Sequence, residues 1–205
     1  MNEMERLPDE TPETPEAQKN SSFLREVYDW MDSIVVSAIV VVLIFTFLFR
    51  IVGIKGESME NTLFEGDKVI ITDLFYKPHA GDIVVISRNL TNQAENETED
   101  NEPIIKRVIA TEGQTVDIDF QEGIVYVDGQ SVYEEYVKEP TYEKKDIDFP
   151  VIVKPGCVFV LGDNRNHSLD SRSSEIGENG MIDERYILGR AVLRVYPFDK
   201  FGLLK

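Results

Sequence analysis

The chain has 205 residues, a hydrophobic content of 42% and a formal net charge of −17 at pH 7. This length allows one domain of about 150 residues plus terminal segments. The negative charge argues against nucleic acid as a partner, because a protein needs basic patches to bind it. It also argues against electrostatic binding to anionic lipid.

The N-terminal segment divides into a polar tail and an apolar helix. Residues 1–22 are rich in Pro, Glu and Thr and lack apolar periodicity, which predicts a disordered acidic tail. Residues 23–50 are predicted to form a membrane-anchor helix, because the run SIVVSAIVVVLIFTFLF (33–49) has 17 uncharged residues, the lower limit for crossing a bilayer. A cleaved signal peptide fits poorly after an acidic region. A buried core helix is the other alternative, but apolar side chains all round the run favour lipid. Basic residues flank both ends, so charge does not orient the helix.

Residues 51–205 have the pattern of a β domain, in which β-branched runs alternate with Gly- and Asp-containing turns. We predict a mostly β fold, a twisted and partly closed antiparallel sheet. An acidic loop insertion is predicted at about 89–103, with solvated side chains.

Cys157 lies in the apolar run GCVFVLG, which favours a small buried hydrophobe over a catalytic thiol. One cysteine and two histidines leave no internal disulfide and nearly exclude a Cys/His zinc site. No phosphate-binding or dinucleotide motif is present, so no cofactor is expected.

The segment GESMENTLFEGD (56–67) contains the first candidate residue, Ser58. A serine between a Gly-containing turn and an apolar strand can expose its hydroxyl while backbone N–H groups point the same way. Such an arrangement suits an oxyanion. Without other evidence, the segment is more typical of an ordinary turn serine.

The segment PIIKRVIATEGQ (103–114) places Lys106 and Arg107 side by side in an apolar strand. Strand alternation sends their side chains to opposite faces, so one of them is expected to face the apolar interior. A buried lysine is costly to keep charged, and its lowered pKa can make it a general base. The alternative is that both side chains reach solvent.

The segment LGDNRNHSLDSRSS (161–174) is rich in hydroxyl, carboxylate and guanidinium groups directly after an apolar strand. As an active-site wall, it offers Ser168 to orient an amine and an Asp170–Arg172 pair to stiffen the loop. A plain polar loop is the alternative.

Together these segments resemble four sequence boxes of the bacterial type I signal peptidases, Ser/Lys endopeptidases that remove signal peptides from exported proteins. The matching sequences are GESM, KPHAGDIVVI (77–86), IKRVIATEGQ (105–114) and GDNRNHSLDSR (162–172). The resemblance covers residues from about 24 to 205, with the anchor included. Four boxes in the right order are hard to obtain by chance.

The resemblance implies that Ser58 is the nucleophile and Lys106 the general base, acting through an acyl-enzyme. It implies that Ser168 orients the lysine, with Asp170 and Arg172 as supporting residues.

The nucleophile box carries two further supporting residues and one departure from the family pattern. Gly56 and Met59 lie on either side of Ser58 in this box. Some family members place a hydroxyl at the position of Gly56, so here the oxyanion hole is assigned to the Ser58 N–H alone. The family usually has proline where this chain has Asn61, and we expect Asn61 to hold the turn less firmly, although asparagine is tolerated in turns.

The resemblance also implies partners and location. The expected substrates are membrane-bound preproteins whose signal peptides carry small residues before the cut. The expected location is the cell membrane, with a single-pass helix in the lipid bilayer, a cytoplasmic N-terminus and residues 51–205 outside.

Three other functions remain open from the sequence. A Ser/His/Asp hydrolase would pair Ser58 with His79 or His167. A self-cleaving repressor of the DNA-damage response shares Ser/Lys chemistry, but such a protein should carry a DNA-binding domain. The predicted anchor and the negative charge argue against that. A non-catalytic, membrane-tethered binding module is the third, and the presence of both Ser58 and Lys106 argues against it.

Overall fold

The computed structural model describes residues 15–87 and 102–204, without the side chains of residues 15–25 and 44–48. The predicted acidic insertion at about 89–103 therefore lies almost entirely outside the described residues, as does most of the predicted tail. Clustering of the chain gives two compact units, one ending at Phe47 and the other beginning at Leu48.

The first unit contains helix α1, Pro15–Leu48. The helix begins earlier than residue 23, inside the segment predicted as a tail. Its described apolar side chains from Ile34 to Leu43 are about half exposed, between 48% and 61%. Within the side chains that the structure describes, no helix is long and apolar enough to cross a membrane. The last part of the predicted span 33–49 lies outside those side chains.

The second unit is built of short strands, which confirms the prediction of a mostly β fold. They are β1 (Arg50–Gly53), β2 (Lys68–Thr72), β3 (Ile83–Ile86), β4 (Ile104–Thr111), β5 (Thr115–Asp119), β6 (Ile124–Val127), β7 (Gln130–Ser131), β8 (Val151–Ile152), β9 (Cys157–Leu161), β10 (Ile182–Asp183), β11 (Ile187–Tyr196) and β12 (Gly202–Leu203).

Two antiparallel sheets account for the described strands. The larger has the order β1-β2-β11-β3-β4-β9-β10, with β12 paired to β11, and the smaller has the order β7-β6-β5-β8. Register shifts interrupt the pairings of β11 with β2 and β3 and of β4 with β9. Bulges of this kind bend a strand and increase its twist, so they curl the larger sheet.

Strand β4 lies in the middle of the larger sheet, hydrogen-bonded to β3 and β9. Its residues from Ile105 to Ala110 are all buried. Apolar clusters cover both faces of this sheet, since Ile105 belongs to one cluster and Ile109 and Val108 to two others. A side chain on β4 is therefore fixed in position by strands on both sides.

Candidate active site

Lys106 and Arg107 are both buried on β4, with exposed fractions of 3% and 1%. Lys106 is buried, as expected of one of the two residues, and Arg107 is buried as well. Arg107 is accommodated because its Nε and Nη2 donate to the two carboxylate oxygens of Asp163 at 2.9 and 2.8 Å. A buried guanidinium is tolerated when it is paired in this bidentate way.

Ser58 opens a tight turn that follows β1. The Leu63 N–H donates to the Met59 carbonyl at 2.8 Å, and both side chains are buried in the apolar cluster beneath the sheet. Gly56 has a φ of +75°, a left-handed conformation that favours glycine. The turn thus leaves Ser58 half-buried while its neighbour Met59 anchors it.

The side chains of Ser58 and Lys106 are in contact. Lys106 Nζ lies 2.9 Å from Ser58 Oγ, a hydrogen-bond distance, and also donates to the Ile105 carbonyl at 2.8 Å. This places a buried amine in reach of a half-buried serine hydroxyl. An arrangement of this kind can transfer a proton from the hydroxyl to the amine as the oxygen attacks a carbonyl.

Asp170 and Arg172 form a fully buried ion pair behind the polar loop 162–172. Arg172 donates from Nε and Nη2 to the two Asp170 oxygens, each at 2.9 Å. Burial by itself would raise the pKa of Asp170, but the hydrogen bonds and charge of Arg172 and the Gly162 N–H outweigh it and hold that pKa below its usual value. The pair ties the loop together, because Asp170 also accepts from the Gly162 N–H at 3.1 Å and Arg172 donates to the Arg165 carbonyl.

Ser168 is buried close to Ser58. Its hydroxyl contributes to holding the pKa of Asp170 below its usual value. A Cβ on Gly162 would lie 2.2 Å from Ser168 Oγ and 2.5 Å from the Ser58 carbonyl oxygen. Glycine is therefore required at 162 for the loop to approach the turn that contains Ser58. The role of Ser168 toward Lys106 stays a prediction.

Asn61 has a φ of +89°, which proline cannot adopt. Its Nδ2 donates to the carbonyls of Tyr136 and Val137 at 3.1 and 3.4 Å. The side chain thus ties the turn that contains Ser58 to a different part of the chain. The expectation that Asn61 loosens this turn is not supported.

Sequence reasoning missed the segment 133–149, which lies over the polar loop. Arg165, 1% exposed, pairs with Glu134 of this segment and donates to Thr141 Oγ1 at 2.9 Å. The Lys138 N–H donates to the Asp163 carbonyl at 3.0 Å. Glu134 carries no motif, and its partner lies 31 residues away in the sequence, so no local pattern could have identified the pair.

The two histidines of the alternative functions contact acidic side chains. His167 is largely exposed, with Nδ1 3.8 Å from Glu57 Oε1, and His79 lies beside Asp82. The described contact of Ser58 Oγ is with Lys106. Burial raises the pKa of the Cys157 thiol, which disfavours a reactive thiolate there.

The family model and the curated relatives that match this chain belong to one family. The family model described as "Signal peptidase, peptidase S26" matches residues 27–196. A probable signal peptidase I-1 of Synechocystis is 37% identical over 74% of this chain and 73% of its own length. A signal peptidase I of Leptolyngbya laminosa is 35% identical over 95% of this chain and 93% of its own. A solved signal peptidase I of Enterococcus faecalis is 26% identical, covers 56% of this chain and 97% of that one, and has a TM-score of 0.41.

Proposed function

The chain belongs to the signal peptidase family, peptidase S26, and we propose that it is a membrane-anchored serine endopeptidase that cleaves signal peptides from exported preproteins. In this proposal Ser58 is the nucleophile and Lys106 the general base. The observation that supports it most strongly is the 2.9 Å separation of Lys106 Nζ and Ser58 Oγ, with the lysine 3% exposed.

The reaction begins with Lys106 as a neutral amine. Burial disfavours the charged form of an amine, and the Ile105 carbonyl accepts one N–H. The lone pair of the neutral nitrogen can then face Ser58 Oγ. Oγ bonds to the scissile carbonyl carbon while its proton passes to Nζ. The tetrahedral oxyanion accepts a hydrogen bond from the Ser58 N–H.

The intermediate then collapses to the acyl-enzyme. The C–N bond breaks, and the ammonium of Lys106 gives its proton to the departing amine. A water molecule transfers a proton to the neutral lysine as its oxygen attacks the ester carbon. The ester bond to Ser58 breaks, the hydroxyl recovers its proton, and the signal peptide leaves with a new carboxylate.

Substrate would bind as an extended strand near the nucleophile turn, since exposed strand edges accept peptides in this way. The preference for small residues before the cut comes from the family resemblance. The supporting roles of Gly56, Met59, Ser168, Asp170 and Arg172 belong to the proposal.

We also propose that helix α1 anchors residues 51–205 to the membrane, with the N-terminus in the cytoplasm. Two observations support it: the uncharged run 33–49 and the exposed Ile and Val side chains between residues 34 and 43. An anchored enzyme meets its membrane-bound substrate in two dimensions, which raises their encounter rate.

Cleavage of a preprotein by the detergent-solubilised full chain tests the function. The wild-type protein should release the signal peptide, whereas Ser58→Ala and Lys106→Ala should fall to background. The matched control is His167→Ala, which should keep full activity because the histidine is exposed and does not contact Ser58 Oγ. Full activity in Ser58→Ala would refute the proposal, and loss in His167→Ala would favour a histidine base.

A further inference from the structure

Asn164, fully buried at the start of the polar loop, makes two hydrogen bonds to the nucleophile turn. Its N–H donates to the Ser58 carbonyl at 3.0 Å, and its side-chain Nδ2 donates to the Glu57 carbonyl at 3.1 Å. One residue thus holds two consecutive carbonyls of a turn that lies 107 residues away in the sequence.

The carbonyl of Glu57 and the N–H of Ser58 are the two ends of one peptide group. A trans peptide is planar, and its C=O and N–H point in opposite directions. A donor that holds the Glu57 oxygen therefore also sets the direction of the Ser58 N–H. The Glu60 N–H donates to the same oxygen at 3.0 Å from within the turn, so Asn164 is the donor that ties this peptide to another element.

The orientation of the Asn164 amide is determined by this contact. Its Oδ1 is buried without a hydrogen-bond partner among the described residues, which costs about 1–3 kcal/mol. Turning the amide over would bring Oδ1 against the Glu57 oxygen and leave two acceptors facing each other. The hydrogen bond to the Glu57 carbonyl thus outweighs the free-energy cost of leaving Oδ1 unpartnered.

We propose that Asn164 is a positioning residue that directs the Ser58 N–H toward the oxyanion of the tetrahedral intermediate. The inference rests on the proposed function, in which Ser58 is the nucleophile. The direction of the Ser58 N–H is important in this chain because Gly56 has no side-chain hydroxyl to donate to the oxyanion. The proposal therefore gives the oxyanion a single backbone donor. A hydrogen bond on the carbonyl also polarises the peptide and strengthens its N–H as a donor.

Asn164→Asp tests the inference, because it preserves shape but replaces the Nδ2 donor with an oxygen that repels the Glu57 carbonyl. Loss of a whole oxyanion donor lowers kcat by about 10²–10³-fold, and a misdirected donor should lower it by about 10–100-fold with KM nearly unchanged. Asn164→Ala removes the donor without adding charge, and it replaces Asn164→Asp in the test if the aspartate variant does not fold. The matched control is Asn166→Asp, which keeps both N–H bonds to Oδ1 and loses only the bond to the Pro140 carbonyl.

An inhibitor pair separates positioning from general damage to the site. A peptide aldehyde forms a bond from its carbonyl carbon to Ser58 Oγ, the hydroxyl proton passes to Lys106, and the aldehyde oxygen becomes an oxyanion. The corresponding peptide alcohol forms no such bond. The Asn164 variants should bind the aldehyde more weakly by the same factor as kcat falls and bind the alcohol as the wild type does.

Two results would overturn the inference: wild-type kcat in Asn164→Ala, or equal weakening of aldehyde and alcohol binding. Both differ from a failure of the proposed function, which would appear as activity in Ser58→Ala.

Discussion

Among single residues, Lys106 has the most demanding task in the proposed mechanism, because there its amine must be neutral to accept the Ser58 proton. Its place on a central strand removes most of its contact with water, with 3% exposure. The strands on either side of β4 hold the lysine in place, and the proposal adds Ser168 as the hydroxyl that orients its amine.

Replacement of Lys106 by arginine should abolish activity, because a guanidinium stays protonated at any working pH. General-base catalysis contributes about 10²–10⁴-fold, so we expect kcat/KM in the preprotein assay to fall by at least about 10²-fold. The matched control is Lys144→Arg, a half-exposed lysine paired with Asp148, which should leave kcat/KM unchanged. Substantial activity in Lys106→Arg would eliminate Lys106 as the base.

Asn61 allows a test of how the nucleophile turn is held. Asn61→Pro should disrupt the turn, because proline cannot reach a φ of +89° and lacks the amide that bonds to Tyr136. We expect a loss of stability of about 1–3 kcal/mol and a large loss of activity. Asn61→Gly keeps the backbone conformation and loses only the side-chain bonds, so it should cost less. Urea denaturation and preprotein cleavage measure both, and equal behaviour of the two variants would contradict this explanation.

The sequence allowed prediction of some of these residues and not others. Lys106 was identifiable because apolar neighbours on a strand make a charged residue conspicuous. Asn164 was not, because its partners are carbonyl oxygens, which leave no trace in residue identities. Arg107 was expected to alternate with Lys106 between faces, but its burial depends on Asp163, 56 residues away.

At the scale of elements, the polar loop 162–172 is held from behind by buried ion pairs. The Asp170 pKa is lowered, so its ionised form contributes stability above the pKa of the unfolded chain, about 3.9, and that contribution is lost as pH falls through the folded-state pKa. Asp170→Asn should cost about 3–5 kcal/mol at pH 7, because it leaves Arg172 buried and unpaired.

Urea denaturation between pH 7 and pH 3 measures this effect. Wild-type stability should fall more steeply below about pH 4 than that of Asp170→Asn. The matched control is Asp183→Asn, which breaks the exposed pair with Arg185 and should change stability far less. An Asp170→Asn protein as stable as the wild type at pH 7 would show that the pair does not hold the loop.

The strand order marks the limit of sequence prediction at this scale. β-branched runs predicted the strands, but β11 lies between β2 and β3, a placement far from its chain order. The segment 133–149 has no strand pattern, and hydrogen bonds to the polar loop and to Asn61 fix its position. Such pairings depend on the whole folded domain and not on local propensity.

For the whole molecule, the proposed anchor is tested by membrane retention of the full chain under alkaline extraction. Val40→Asp together with Val41→Asp places two charges in the middle of the uncharged run, at about 2.5–3.5 kcal/mol each. This variant should be released from the membrane fraction. The matched control is Ile152→Asp, an apolar residue 65% exposed on β8, which should stay. Equal retention of all three proteins would argue against the anchor.

The central claim is that Ser58 forms an acyl-enzyme with the help of Lys106, and intact-mass spectrometry of the full chain measures it directly. A peptide ester that represents the cleavage site, mixed briefly with the wild-type protein, should add the mass of its acyl part, and fragmentation should place that mass on Ser58. Lys106→Ala should accumulate the adduct at least about 10²-fold more slowly. An adduct on another residue, or one formed in Lys106→Ala at the wild-type rate, would contradict the claim.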